Sequence, residues 1–288
     1  MRTWGRADRV RAYFLGVRGS TPAPGESFVR YGGYTSCIAI AHDDADAPTL
    51  ILDSGTGIRR ASGLLGNDAF AGTILLTHLH WDHFHGLPFF SAADRDDSRV
   101  ALLLPEQPDG ADANEVLSRA MSPPHFPIGP EGLRGKWSFS TLPPGTIEAE
   151  GFSIEAREIP HKGGRTYGYR VSDGDAVLTY MPDHCPSALG SGPDGWGEYH
   201  FEALDLAKGS DALVHDAQVT SDESAAAVFF GHAVAEYAVE LGRRADARRV
   251  VLFHHAPDRT DDALDEVPFR FGPEPEVIVA SESLVLEL

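Results

Sequence analysis

The chain has 288 residues, 42% of them hydrophobic, and 43 Asp and Glu against 24 Lys and Arg, a formal net charge of −19; that length supports one large domain or two small ones. No apolar run approaches a membrane span, residues 1–6 open no signal-peptide core, and two cysteines, Cys37 and Cys185, are too few for a disulfide framework, so the expected setting is soluble, reducing and cytoplasmic. Six Arg against Asp8 and Glu26 give residues 1–30 a balance of +4, leaving −23 for the remainder, and such an acidic body makes a long nucleic acid a poor default partner while a small anion remains compatible with a site whose field is set by bound dications.

In chain order, residues 10–15 read as a first strand, followed by the Pro/Gly-rich loop 16–25. Its glycines, hydroxyls and Arg18 either hold an anion or form an ordinary turn, and the turn is the simpler reading. Residues 36–41 and 50–52 read as two more strands, and 53–57 turn the chain into a helix over about 58–65. Asp53 either caps that helix through its carboxylate or orients a metal ligand.

The apolar run 73–76 is a buried strand that feeds the stretch THLHWDHFHG, residues 77–86. His78 and His80 lie two apart, so on an extended backbone they point to one side. Asp82 and His83 then aim at a second point nearby. A single His on such a strand would be a hydrogen-bonded core residue, but four ligand-type residues in six positions would need polar partners that a hydrophobic interior does not supply. The spacing serves two metal ions side by side.

Residues 105–146 form a Pro/Gly-rich insertion with one predicted helix near 112–120. A segment of this kind is often a lid or a binding loop. His125, Phe126 and Trp137 would then suit contact with a flat group, or else decorate a surface scaffold.

The second half repeats the pattern of apolar strands that end in ligand-type residues. Strand 152–159 ends at His161. Strands 167–171 and 176–180 form a hairpin across Asp173-Gly174, and the second of them ends at Asp183. Strand 212–214 ends at His215-Asp216, which either orients a ligand or simply closes the strand. A helix over about 233–241 buries one face through Val234, Ala238 and Leu241. Strand 250–253 ends at His254-His255, and neighbours on a strand point to opposite sides, so one of the two is a candidate ligand and the other a supporting residue. Cys185 reads as a small buried thiol.

With these residues in place, the chain resembles the metallo-β-lactamase superfamily, and within it the phosphodiesterase branch that includes the ribonuclease Z and phosphonate-pathway cyclic phosphodiesterase groups. The likeness rests on FLGVRGSTPAPG, RYGGYTSC, LDSGTG, LLTHLHWDHFHGLPFF, MSPPHFPI, PHKGGRTYGYR, YMPDH, HDAQ, GHA and LFHHAPDRTDD, in the family's order across nearly the whole chain. It implies an α/β chain folded as a four-layer αββα sandwich, a single domain over 1–288, with a dinuclear centre at one end of two sheets. By that likeness His78, His80 and His161 bind one metal, Asp82, His83 and His254 bind the other, and Asp183 bridges them, with Asp53, His215 and His255 in support. His232, in the GHA segment at the start of a helix, resembles the family's proton-donating His, although Ala233 stands where the family carries a hydroxyl. Asp82 and His232 are thus the candidate catalytic residues. A helix N-terminus would lower the pKa of His232.

Neutral imidazoles and carboxylates without a thiolate suit two divalent ions, zinc first and manganese second. Such a pair activates a shared water and clamps the oxygens of the group under attack. The expected function is a metal-dependent phosphodiesterase acting on a small cyclic or linear phosphodiester, with no membrane partner and with homodimers common in the branch. A tRNA 3′-processing endonuclease is the alternative, and that group inserts a flexible arm between the positions of His161 and Asp183, where this chain has only 21 residues. A non-catalytic metal-stabilised sensor is a further alternative.

Overall fold

The structure is a computed structural model, and it describes residues 10–288; the reading of residues 1–6 lies outside them. Two seven-stranded mixed sheets make up its centre. The first contains β1 (Val10–Gly16), β2 (Cys37–His42), β3 (Leu50–Leu52), β4 (Ala71–Leu75), β5 (Arg99–Pro105), β6 (Lys136–Leu142) and β14 (Val285–Glu287), in the order β14-β1-β2-β3-β4-β5-β6. The second contains β7 (Gly145–Ala149), β8 (Phe152–Ile159), β9 (Thr166–Ser172), β10 (Val177–Met181), β11 (Ala212–Asp216), β12 (Arg249–Phe253) and β13 (Glu276–Val279), in the order β13-β12-β11-β10-β9-β8-β7.

The strands that carry the site are the parallel ones. β3, β4, β5 and β6 run parallel, as do β10, β11, β12 and β13. β10 and β11 are buried at every position, as expected of parallel strands covered on both faces. Parallel strands deliver their C-terminal ends to one edge, so the residues after β4, β10, β11 and β12 meet there.

The sheets pack face to face through rings. Phe14 and Ile38 from the first sheet meet Tyr167, Tyr180 and Phe253 from the second, with Phe14 and Phe253 centroids 6.1 Å apart. The Tyr169 hydroxyl crosses between the sheets and donates to the Leu76 carbonyl at 2.7 Å. Each large apolar side chain buried in this way contributes about 1.5–3 kcal/mol, against about 0–1 kcal/mol for an exposed ion pair. The inner rings therefore set how the two sheets face each other, and with that the spacing of the strand ends.

Helices cover the outer faces and complete four layers. On the first sheet lie the 3₁₀ segment Thr56–Leu64, α1 (Trp81–Phe84) and α2 (Ala113–Ser118). On the second lie α3 (Phe201–Ala207) and α5 (Ala235–Arg244), with α4 (Ser224–Phe230) beside the strand ends. The helix expected over 58–65 is a 3₁₀ segment, and its Gly57 packs so closely on the backbone of β1 that a Cβ would clash. The helix expected from residue 233 starts at Ala235, because Val234 is extended and bridges Val219.

For the loops with two readings each, the structure favours the plainer one. Residues 105–146 contain β6, which extends the first sheet, and among the described residues none of them lines the cleft at the strand ends. Trp137 pairs with Val100 at the start of β5, so it sits at the opposite end of the sheet from His78, where it stacks on Phe139. Phe126 packs edge-on against Phe89, and His125 is exposed beside it. Arg18 does not face an anion. It is wholly buried, donates to the carbonyls of Gly32, Ala256 and Arg259, and lies 3.6 Å from Asp261.

Candidate metal centre

The strand ends bring two groups of ligand-type atoms together. Ligand atoms of His78, His80, His161 and Asp183 lie within 4.8 Å of one another, as do those of Asp82, His83 and His254. Asp183 stands between the groups. Its Oδ2 is 3.7 Å from His78 Nε2 and 3.3 Å from His161 Nε2, while its Oδ1 is 2.9 Å from His83 Nε2 and 3.1 Å from His254 Nε2. Asp183, His232 and His254 form a third grouping that overlaps the first two.

Outer contacts fix which nitrogens face inward. Asp53 is fully buried and accepts from Thr77 N (2.7 Å), from the Thr77 hydroxyl, from Tyr180 OH (2.9 Å) and from His83 Nδ1 (2.8 Å). His83 Nε2 is thereby left bare and directed at Asp183. His161 Nδ1 donates to the Gly231 carbonyl at 2.8 Å, which leaves its Nε2 inward, 3.2 Å from His80 Nδ1. Thr77 Oγ1 lies 3.1 Å from His78 Nδ1, and His78 Nε2 is buried with no hydrogen-bond partner. The cap reading of Asp53 fails, since the 3₁₀ segment at Thr56 has no side-chain cap.

These atoms fit a pair of divalent cations. His83 Nε2 and His254 Nε2 are 3.3 Å apart, and both approach Asp183 Oδ1, which has no partner of good hydrogen-bond geometry. His78 Nε2 and Asp183 Oδ1 are buried polar atoms with no hydrogen-bond partner, and the His83–His254 and His161–His80 nitrogens face each other at 3.3 and 3.2 Å, an arrangement that a cation satisfies.

The field follows from the same packing. Burial pushes the His78 imidazole well below its ordinary range, with His83 adding to it, and pushes His161 down to about 4 against the pull of Asp183. Burial opposes charge on His83 too, but Asp183, Asp82 and Asp53 outweigh it and raise that imidazole. Burial works against the Asp82 and Asp183 carboxylates, yet the imidazoles of His83 and His254 hold both well below the usual range.

Backbone strain concentrates here. Ser20, Asp53 and His254 have φ of 63°, 58° and 62°, a left-handed conformation that non-glycine residues adopt only where surrounding contacts enforce it. Ser20 N donates to Asp82 Oδ2 at 2.7 Å, and Gln218 Nε2 donates to Ser20 Oγ at 3.1 Å. Gly19 is required beside them: a Cβ there would lie 2.4 Å from the His254 ring.

His232 lines the cleft next to this cluster. Its Nδ1 is 2.9 Å from Asp216 Oδ2. Burial alone would lower its pKa, but Asp216, then Asp183 and Asp82, raise it to about 9. His232 is not in the first turn of a helix, since α5 begins three residues later at Ala235, and the neighbouring carboxylates set its direction of shift in place of the depression expected from a helix N-terminus.

Two expected supporting residues turn elsewhere. His215 Nε2 lies 2.9 Å from His184 Nδ1, and its neighbour Asp216 is the one that faces the site, as strand alternation requires of one of the pair. His255 Nε2 donates to the Ala280 carbonyl at 2.9 Å, anchoring the loop behind His254. Cys185 is a buried free thiol. The sequence offers Asp216 only jointly with His215, and it is Asp216 that meets the site; nothing in the sequence marks Thr77, Tyr180 or Ser20, which act through hydroxyls behind the ligands or through a backbone N–H.

A two-sheet sandwich with helices outside and a His/Asp cluster at one sheet edge defines a metal-dependent hydrolase of the metallo-β-lactamase fold. The chain belongs to the beta-lactamase superfamily domain family, whose model matches residues 52–255. It is similar to ribonuclease Z of Natronomonas pharaonis, 22% identical over 284 residues and covering 85% of this chain and 86% of that one. Ribonuclease Z of Salinibacter ruber is 26% identical over 262 residues, 75% of this chain and 79% of that one. Among solved structures, a diphosphatase of the PhnP family superposes with TM-score 0.70 at 18% identity, over 97% of this chain and 98% of that one. The short form of human tRNase Z superposes with TM-score 0.65 at 18% identity, over 96% and 98%. Among the described residues no helix is long and apolar enough to cross a membrane.

Proposed function

We propose that this chain is a phosphodiesterase with a dinuclear metal centre that cleaves a small cyclic or linear phosphodiester. The observation that carries the reading is the position of Asp183, with one oxygen toward each of two ligand groups. His78, His80 and His161 would hold one ion, Asp82, His83 and His254 the other, and Asp183 both, with zinc or manganese as the metal. Two such ions lower the pKa of bound water and neutralise charge on a phosphoryl group.

The chain's own residues do the rest. Asp53, Thr77 and the Gly231 carbonyl keep imidazole nitrogens turned inward. Ser20 N and His254 hold the Asp82 carboxylate. With its Nδ1 on Asp216, His232 has Nε2 free in the cleft to give a proton to the leaving oxygen. That cleft measures about 390 Å³, which suits a nucleotide-sized ligand.

A second reading, an RNA 3′-processing endonuclease, is favoured by the relatives named ribonuclease Z. Against it stand the net charge of −19 and the 21 residues between His161 and Asp183, which are filled by β9, β10 and short loops. The test is a screen of cyclic mononucleotides, cyclic dinucleotides, 2′,3′-cyclic phosphates and a pre-tRNA with one metal-loaded preparation. The small diesters are expected to be the better substrates; cleavage of the pre-tRNA alone would overturn the reading.

A further inference from the structure

Two exposed aromatic side chains line the cleft, Trp81 stacked on His85 and Phe230 edge-on against Phe229. Trp81 is 67% exposed and Phe230 is 60% exposed, and both line the same cleft as His80, Asp82, His161 and His232. Phe201, Phe229 and Phe269 are at least as exposed elsewhere, so what marks Trp81 and Phe230 is their place beside the polar ligand groups, where a bound ligand could cover them.

Neither ring is loosely hung. Trp81 opens α1, directly between His80 and Asp82, and its ring is stacked on His85 one turn later, with centroids 5.1 Å apart and planes 16° apart. One of its faces is thus occupied and the other is available. Phe230 ends α4, where Gly231 takes the left-handed conformation with φ 90°. The Gly231 carbonyl accepts from His161 Nδ1, and the Lys162 ammonium bonds the Phe229 carbonyl. Both rings are therefore tied to backbone segments that carry candidate metal ligands, so their distance from the reacting phosphorus is set by the same contacts that set the ligands.

We infer that Trp81 and Phe230 form an aromatic clamp that stacks a nucleobase, or another flat ring, attached to the phosphodiester. This rests on the phosphodiesterase reading for the placement of the phosphoryl group. The clamp is sequence-tolerant, since every base has a π-face; Leu79, in the same cleft, adds apolar contact at its base. It assigns specificity to the aromatic group on the substrate and leaves the chemistry to the ligand groups. The same ring recognition serves a free nucleotide and the end of an RNA chain.

The test compares binding of AMP with binding of ribose 5-phosphate, which has the same phosphate and sugar without the base. Calorimetry on the metal-loaded protein is expected to give tighter binding of AMP. Trp81→Ala and Phe230→Ala should each weaken AMP roughly 5- to 150-fold, the range for loss of one base–aromatic stack, and leave ribose 5-phosphate unchanged. Trp81→Phe should restore most of the difference. Equal binding of the two ligands by the wild type, or equal weakening of both by the variants, would overturn the clamp. Because these are binding measurements, they stand even if no phosphodiester is hydrolysed, an outcome that would overturn the phosphodiesterase reading instead. Kinetics of the same variants with a cyclic mononucleotide and with a pre-tRNA name the source: a rise in KM with the mononucleotide assigns the clamp to a free nucleotide, a rise with the pre-tRNA assigns it to an RNA end, and no rise with either contradicts it.

Discussion

Asp53→Asn removes one charge and one acceptor from a fully buried carboxylate behind the ligand residues. Asp53 Oδ1 accepts from the Thr77 amide, and Oδ2 accepts from Tyr180 OH and His83 Nδ1, with the Thr77 hydroxyl near both. An amide cannot reproduce this, since its NH₂ must replace one oxygen and would then face donors. If it replaces Oδ1, one backbone contact is lost; if it replaces Oδ2, the tyrosine and the imidazole both lose their acceptor. At about 1.5–3 kcal/mol for each hydrogen bond to a charged group, the first orientation is the cheaper one, and the variant should lose about 1.5–3 kcal/mol of stability. That is a sizeable part of a typical total of about 5–15 kcal/mol, yet it leaves a folded protein. In the first orientation the amide oxygen still accepts from His83 Nδ1 but carries no charge, so the imidazole is a weaker ligand and metal affinity at the Asp82, His83 and His254 group should fall about 10- to 100-fold. Thermal unfolding and competition with a chromogenic chelator measure the two effects. A variant with wild-type metal affinity would refute the claim that the Asp53 charge strengthens His83 as a ligand.

Asp183→Ala should lose one or both metals, as read by elemental analysis of the purified protein, because each group loses its shared oxygen; full metal content would count against the bridging assignment. His232→Ala should keep its metals and slow a substrate with an alkoxide leaving group about 10²- to 10⁴-fold, while a nitrophenyl ester, whose leaving group hardly needs a proton, should slow far less; equal losses on both would remove the proton-donor role. Gly19→Ala forces a methyl against the His254 ring and should cost about 1–3 kcal/mol together with metal from the Asp82 group, which thermal unfolding and metal content would reveal. Arg18→Ala leaves Asp261 without its buried guanidinium and should lower unfolding free energy in urea by about 3–5 kcal/mol; a change below 1 kcal/mol would contradict the structural role given to Arg18.

What the sequence makes legible here is what is contiguous or periodic. Four ligand-type residues packed into His78–His83 announce themselves, and the apolar runs before His161, Asp183 and His254 mark strand ends that a parallel sheet gathers at one edge. Residues that act through geometry are harder to read. His254 and His255 differ only by the left-handed turn at residue 254, which strand alternation does not foresee. Asp216 and His215 are neighbours of opposite facing, and only the register of β11 against its partners decides which one meets His232. Ser20 contributes an amide that any residue but proline owns. β6 hides in a Pro/Gly-rich stretch because an edge strand buries only one face, and only the pairing of Trp137 with Val100, at the far end of the sheet, decides between a binding and a scaffold role for that ring.

The most direct test is a titration of metal-depleted protein with zinc or manganese while hydrolysis of bis-(p-nitrophenyl) phosphate is followed. Activity should rise from near zero and level off at about two equivalents per chain, as a shared Asp183 between two ligand groups requires. A protein that takes up metal with no hydrolysis, or that reaches full activity at one equivalent, would contradict the dinuclear phosphodiesterase.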